Sequence, residues 1–344
     1  MRKICPCKTI LAGLLSALSL AGCGGGEGGG GVNPSGTGNM PMPTGVLPPT
    51  PTASILNPTA PTLTSSTGLS TELGAPLATG NIAVDGLAWI NFRRSQASIS
   101  TLTRNTLIDT AAQGHSTYQS INTLITHEQL LSNQGFSGVT LSDRLATAGY
   151  IFNVNNSRAY GEIIAATSNS SGQYMAEELI TAIYHRFVMF EPMFKEIGTG
   201  SAATSQGYNY LTVNFAANNG YGTGLSPGQI VIWPFNGQGR VPRNFFSDTE
   251  LPDPVPDRNE VGYPISVHAN IDATVRVTSF TVRPRGGTEL QTRLLTGTSD
   301  IHTGNTSAAI VPLRPLVTGT VYDVTFVGDV DGNAVNRSWS FTTQ

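Results

Sequence analysis

Apolar positions change their rhythm along the chain, and the change divides it. Residues 82–97 read as a first helix, and Thr103 to about Ile121 as a second, because Leu107, Ala111, His115 and Tyr118 recur at three- and four-residue steps. A short third helix is expected around Val139 to Gly149, with Thr140 or Ser142 as N-cap and Gly149 as the stop. A fourth runs from about Gly172 to Phe190. Asn209 to Phe215 then alternates Tyr210, Thr212 and Asn214 with Leu211, Val213 and Phe215, the pattern of a half-buried strand. Helices around a short sheet predict an α+β unit.

Beyond residue 258 the period is two. Ile265, Val267, Ala269 and Ile271 alternate with Ser266, His268 and Asn270, and Tyr322, Val324 and Phe326 alternate with Asp323 and Thr325. Short alternating strands with turn signals between them predict a β-sandwich over 259–344. Asp329-Val330-Asp331-Gly332-Asn333 lacks the third carboxylate and distal Glu of a calcium loop, so Asp331-Gly332 is expected as a hairpin turn. Residues 223–258, rich in Gly, Pro and Asn around the apolar Ile230-Val231-Ile232-Trp233, read as a connecting segment that ends at the stiff Pro252-Asp253-Pro254-Val255-Pro256.

The N-terminus has neither rhythm. Arg2, Lys3 and Lys8 flank an apolar stretch from Thr9 to Leu20, too short to span a bilayer stably, and residues 1–22 read as a signal peptide. Leu20-Ala21-Gly22-Cys23 resembles the lipobox of bacterial lipoproteins, which implies cleavage before Cys23 and its acylation, hence a membrane partner. Residues 23–79 are dominated by Gly, Pro, Thr and Ser and read as a disordered tether, with a reach on the order of 40 Å. Because Gly24 is not the Asp that commonly retains lipoproteins in an inner membrane, the outer membrane is expected where a cell has two.

Composition narrows the function further. The three cysteines are Cys5, Cys7 and Cys23, so cleavage leaves no pair for a disulfide. The net charge is −3, and of the lysines only Lys195 lies beyond the signal. No basic cluster survives, which argues against a nucleic-acid partner.

Several motifs of the helical unit, in one order, resemble the cysteine-free bacterial branch of the CAP superfamily (cysteine-rich secretory, antigen 5, pathogenesis-related 1). They are Ile90-Asn91-Phe92-Arg93-Arg94, the stretch from Ala111 to Tyr118, Thr126-His127-Glu128, and Arg144 to Tyr150. Gly161-Glu162-Ile163-Ile164, Tyr184-His185-Arg186 and Glu196-Ile197-Gly198-Thr199-Gly200 complete the series. The resemblance implies an α-β-α sandwich over residues 80–222, and the strands after it resemble bacterial Ig-like domains. It also implies a cleft lined by His127, Glu162 and His185, which in some members binds zinc or another divalent ion. The family's second acidic residue has no clear counterpart; Glu177, Glu178 and Glu128 are the candidates, and Ile163 replaces the usual Asn. His115 lies on the apolar stripe of its helix and reads as a hydrogen-bonded core histidine.

The chain shows no Gly-x-Ser-x-Gly and no His-Glu-x-x-His, and Ser116 beside His115 is an ordinary helix neighbour. The expected function is therefore binding of a lipid, glycan or envelope protein through the His/Glu cleft. The alternative is a metal-dependent hydrolase or protease using the same cleft.

Overall fold

A computed structural model describes residues 72–344 and the backbone of Ser19–Ala21. Apart from those three residues, the expected signal peptide lies outside the described residues, as do Cys23 and the tether up to residue 71.

The helical unit is built on one sheet of five strands. In chain order these are β1 (Ser19–Ala21), β2 (Thr103–Arg104), β3 (Ala159–Thr167), β4 (Glu196–Ala203) and β5 (Asn209–Ala217). Their spatial order is β1-β3-β5-β4-β2, antiparallel at β3/β5 and β4/β5 and parallel at both edges. The helices are α1 (Ile82–Gln96), α2 (Thr106–Asn122), α3 (Leu141–Thr147), α4 (Gly172–Thr181) and α5 (Ile183–Met189). This is the α+β architecture that the periodicity predicts.

Three local expectations change. The second helix starts at Thr106, capped by Asn105, because Thr103 and Arg104 are drawn into a parallel pairing with Glu196 and Ile197. The fourth helix is two: Ala182 is extended (φ −68, ψ 118), so α5 starts afresh after α4. β5 is buried at all nine positions rather than half-buried, because α2 covers the face that carries Thr212 and Asn214. The third helix starts where expected, and Thr140 and Asp143 form a reciprocal capping box.

Two four-stranded sheets form the β-sandwich region. One orders β12 (Thr292–Thr296), β13 (Ser307–Pro312), β10 (Ile265–His268) and β6 (Val231–Trp233); the other orders β11 (Val275–Pro284), β14 (Val321–Val330), β15 (Asn333–Thr343) and β7 (Gln238–Val241). A small ribbon of β8 (Asn244–Phe246) and β9 (Glu260–Gly262) completes it. Residues 223–258, expected as a connecting segment that packs on one or both units, supply an edge strand to each large sheet. At three or four residues these strands are too short to show an alternating pattern. The β14–β15 turn has Asp331 at φ 54 and Gly332 at φ 80, the left-handed pair of a two-residue hairpin.

The two units share a hydrophobic core. Phe190 meets Trp233 edge-on at 5.0 Å and His268 at 5.6 Å, and the apolar cluster around them runs from Trp89 to Phe341. Arg186, fully buried on α5, donates to Pro264 O at 2.7 Å and lies over the Tyr263 ring at 4.9 Å.

Candidate functional site

The site begins with how closely α2 approaches the sheet. Gly198 and Gly200 face it from β4, and a Cβ on either would lie 2.3 Å from Asp109 N or 2.1 Å from Gln113 N. Glycine at both positions lets the helix backbone rest on the strand. Ser116 then reaches within 2.9 Å of both Gly200 O and Thr212 Oγ1 and accepts the Thr212 N–H. Its hydroxyl is spent on packing, which removes it as a nucleophile.

Next to Ser116 on α2 is His115, with no exposed surface. Gln129 Nε2 donates to its Nδ1 at 2.9 Å, so its Nε2–H donates to Thr126 O at 2.7 Å. Burial pulls the imidazole down to about 4, against the nearby Glu162 carboxylate that favours its charged form. His115 is neutral at pH 7 and ties the 123–139 loop to α2.

Glu162 projects from β3 into the same layer and is 2% exposed. Arg144 on α3 donates from Nη2 to both carboxylate oxygens, at 2.8 and 2.7 Å. His127 Nδ1 lies 3.0 Å from Oε1, and His115 Nε2 lies 3.9 Å from it. Burial would raise this carboxyl, but Arg144 foremost, with the two histidines, outweighs it and holds the group down at about 2. The other terminal nitrogen of Arg144 bonds His127 O and Val139 O. A single guanidinium therefore fixes both the carboxylate and the loop that carries His127.

His185 is differently employed. Its Nδ1 lies 2.9 Å from Oε1 of Glu250, a residue of the 223–258 segment. Glu250 also accepts the backbone N–H groups of Ile183, Tyr184 and His185, satisfying the start of α5 that Ala182 leaves without a side-chain cap. Glu128 is exposed in the loop beside His127, and Glu178 is exposed on α4. Its neighbour Glu177 is the structural partner, accepting from Trp89 Nε1 at 2.6 Å and Arg93 Nε at 2.8 Å.

Glu250 was not singled out from the sequence, and Arg144 entered there only as the first residue of a family motif, with no role at the site. For Arg144 the signal was its place in the Arg144 to Tyr150 motif. Glu250 carried none, since its partners lie 65 to 67 positions away.

The donor set fits a metal poorly. Among the described residues no three His, Cys, Asp or Glu side chains form a group that could hold an ion. Both oxygens of Glu162 are engaged by a cation already, and each imidazole concerned has a ring nitrogen committed within the fold. A second cation at Glu162 would have to displace the Arg144 guanidinium from a buried pair.

A sheet carrying a helix close against one face, with a buried Glu–His pair beneath the loop that follows that helix, is the core of this α+β unit. Residues 87–215 match the cysteine-rich secretory protein family, CAP, and this part of the chain is a CAP domain. Among solved structures, the chain is similar to an extracellular protein containing a SCP domain from Bacillus anthracis str. Ames, at 24% identity and TM-score 0.33 over 40% of each chain. It is also similar to an outer surface protein from Borrelia burgdorferi, at 17% identity and TM-score 0.32, over 38% of this chain and 89% of that one. The chain thus spans less than half of the Bacillus protein's length. No curated protein matches it.

Proposed function

We propose that the chain is an exported, envelope-associated binding protein whose CAP domain recognises a lipid, glycan or protein ligand without chemical turnover. The observation that carries this reading is the state of Glu162. A general base must be able to accept a proton near neutral pH, and a carboxylate held at about 2 by a buried guanidinium is a poor one. His115 is buried and doubly hydrogen-bonded, and Ser116 is committed to Gly200 and Thr212. What remains at the surface is the His127 edge, with its imidazole slightly exposed and the aliphatic Ile125, Leu130 and Leu131 on the same loop well exposed. Such a surface suits contact with a partner. Anchoring through Cys23 belongs to the same proposal, and the Ig-like sandwich would hold the CAP domain at a fixed orientation.

The test compares the full chain with His127→Ala and Glu162→Gln. Peptide and ester substrates, with and without added Zn²⁺, are expected to show no hydrolysis above buffer. Immobilised wild-type chain is expected to retain a lipid, glycan or protein from envelope extracts that His127→Ala loses. Turnover abolished by Glu162→Gln but kept in Glu128→Gln would overturn the reading in favour of a hydrolase. For the anchor, Cys23→Ala is expected to leave the chain uncleaved or soluble.

A further inference from the structure

The last turn of α2 and the loop after it turn aliphatic side chains outward. Ile121, Ile125, Leu130, Leu131 and Val139 are between 43% and 78% exposed. Hydrogen bonds and packing gather them at one end of the helix. Leu130 N and Asn133 Nδ2 both donate to Tyr118 Oη at 3.0 Å, and a Cβ on Gly135 would lie 3.9 Å from Ile121 Cδ1. Gln129 N donates to Val139 O at 3.0 Å, which brings the far end of the loop to Leu130. An exposed apolar cluster of this kind marks an interaction surface.

We propose that this patch is a membrane-docking surface, its aliphatic side chains entering the interfacial layer of an electrically neutral lipid bilayer. The proposal names the partner of the loop given a binding role above and rests on that reading. Composition favours a bilayer over a protein: residues 121–139 contain no Trp, Tyr or Arg, the residues that dominate protein–protein hot spots. The loop backbone is also satisfied from within. Asn122 Nδ2 donates to Gln134 O, Gln129 Oε1 accepts from Ser137 N, and Arg144 donates to His127 O and Val139 O. Backbone groups that leave water for lipid need such partners.

The chain that precedes the described residues points to the same partner. The tether read from the sequence runs back to Cys23 of the lipobox-like Leu20-Ala21-Gly22-Cys23. Its reach, on the order of 40 Å, exceeds the roughly 25 Å length of the 17-residue α2. Acylation at Cys23 therefore keeps the patch within reach of the bilayer at a high effective concentration. Charge selects the lipid class. Glu128 is the one carboxylate in 121–139 and no Lys or Arg accompanies it, so anionic headgroups are disfavoured.

The mature chain from residue 24 onward keeps residues 72–344 and contains no cysteine, so one introduced Cys carries a polarity-sensitive fluorophore without competition. Leu131→Cys probes the patch, and Val154→Cys, at an equally open position (78% and 73% exposed), probes another face. With vesicles of phosphatidylcholine alone, a blue shift is expected from Leu131→Cys and none from Val154→Cys. Sedimentation with the same vesicles is expected to show about a tenfold weaker partition for the double variant Leu130→Ser, Leu131→Ser. Ile151→Ser is expected to partition as the wild type does, and all these exposed positions should leave the melting temperature unchanged. Vesicles of phosphatidylcholine and phosphatidylglycerol in equal parts are expected to bind no better. No shift at Leu131→Cys, an equal shift at Val154→Cys, partition indifferent to the Leu pair, or preference for the anionic vesicles would each overturn the proposal. Capture of an envelope protein that the double variant loses, without vesicle binding, would assign the patch to a protein and overturn it as well. The binding role itself is tested separately by the His127→Ala comparison, which uses no vesicles.

Discussion

At the scale of single residues, the buried charges set how the protein responds to mutation and to pH. Arg144→Met would leave the Glu162 carboxylate without its main partner, and an uncompensated buried charge typically costs about 3–5 kcal/mol. Replacing both, Arg144→Met with Glu162→Gln, is expected to recover much of that loss, and urea denaturation of the four species gives the coupling directly. The pH response has two windows. Glu162 is depressed to about 2, so its contribution is complete above the ordinary carboxylate range and is lost as pH falls from there through 2. His115 is depressed to about 4, so between its ordinary 6.5 and 4 the unfolded chain binds a proton that the folded one refuses. Stability therefore falls on acidification from 6.5, by on the order of 3 kcal/mol for this group. His268, buried and pushed down chiefly by burial and then by Arg186, acts in the same direction. Unfolding midpoints measured from pH 7 to 4 are expected to decline, and His115→Gln is expected to flatten part of that slope.

At the scale of elements, two contacts decide how the site is assembled. The first is α2 against β4. Gly200→Ala would place a methyl 2.1 Å from Gln113 N and 2.2 Å from Gln113 Cα, both backbone atoms that cannot rotate away. The helix must shift, at a cost of about 1–3 kcal/mol or more, and a lowered melting temperature checks it. The second is the start of α5. Glu250→Ala removes the acceptor for three backbone N–H groups and for His185, so a loss of about 2–5 kcal/mol is expected. Hydrogen exchange should quicken at Ile183, Tyr184 and His185 in that variant, and less so in Glu250→Gln. These same contacts explain what could be read from the chain in advance. Helix α1, the Thr140 cap and the Asp331-Gly332 turn rest on neighbours within a few positions, and their residues announce them. Thr103 became strand only because β4 lay alongside, and β5 became fully buried only because α2 covers it. Glu162 and His127 were legible through motif resemblance, whereas the employment of His185 depended on a residue in a segment whose composition suggested a connection packed on one or both units.

At the scale of the whole molecule, the CAP unit and the sandwich are mechanically one. A boundary near residue 222 would cut through a continuous apolar cluster, because Phe190 packs on Trp233 and His268 from beyond it. The polar contacts reinforce this. Arg186 has Pro264 O and Ser266 Oγ among its acceptors, and His185 has Glu250, all on the far side of that boundary. Ending the chain at 222 would expose Phe187 and Phe190 and leave a guanidinium without two of its partners. Burial of large aromatic side chains is worth about 1.5–3 kcal/mol each, comparable with a fair share of a domain's net stability. The expected outcome is that the full chain unfolds in one calorimetric transition, with equal calorimetric and van't Hoff enthalpies, and that a fragment spanning residues 72–222 melts far lower or fails to show a cooperative transition. Two separated transitions in the full chain, with the first reproduced by the isolated fragment, would mean that the units are only docked. In that event Glu250 would be a removable contact, and its substitution would uncover the start of α5 without loosening the CAP fold.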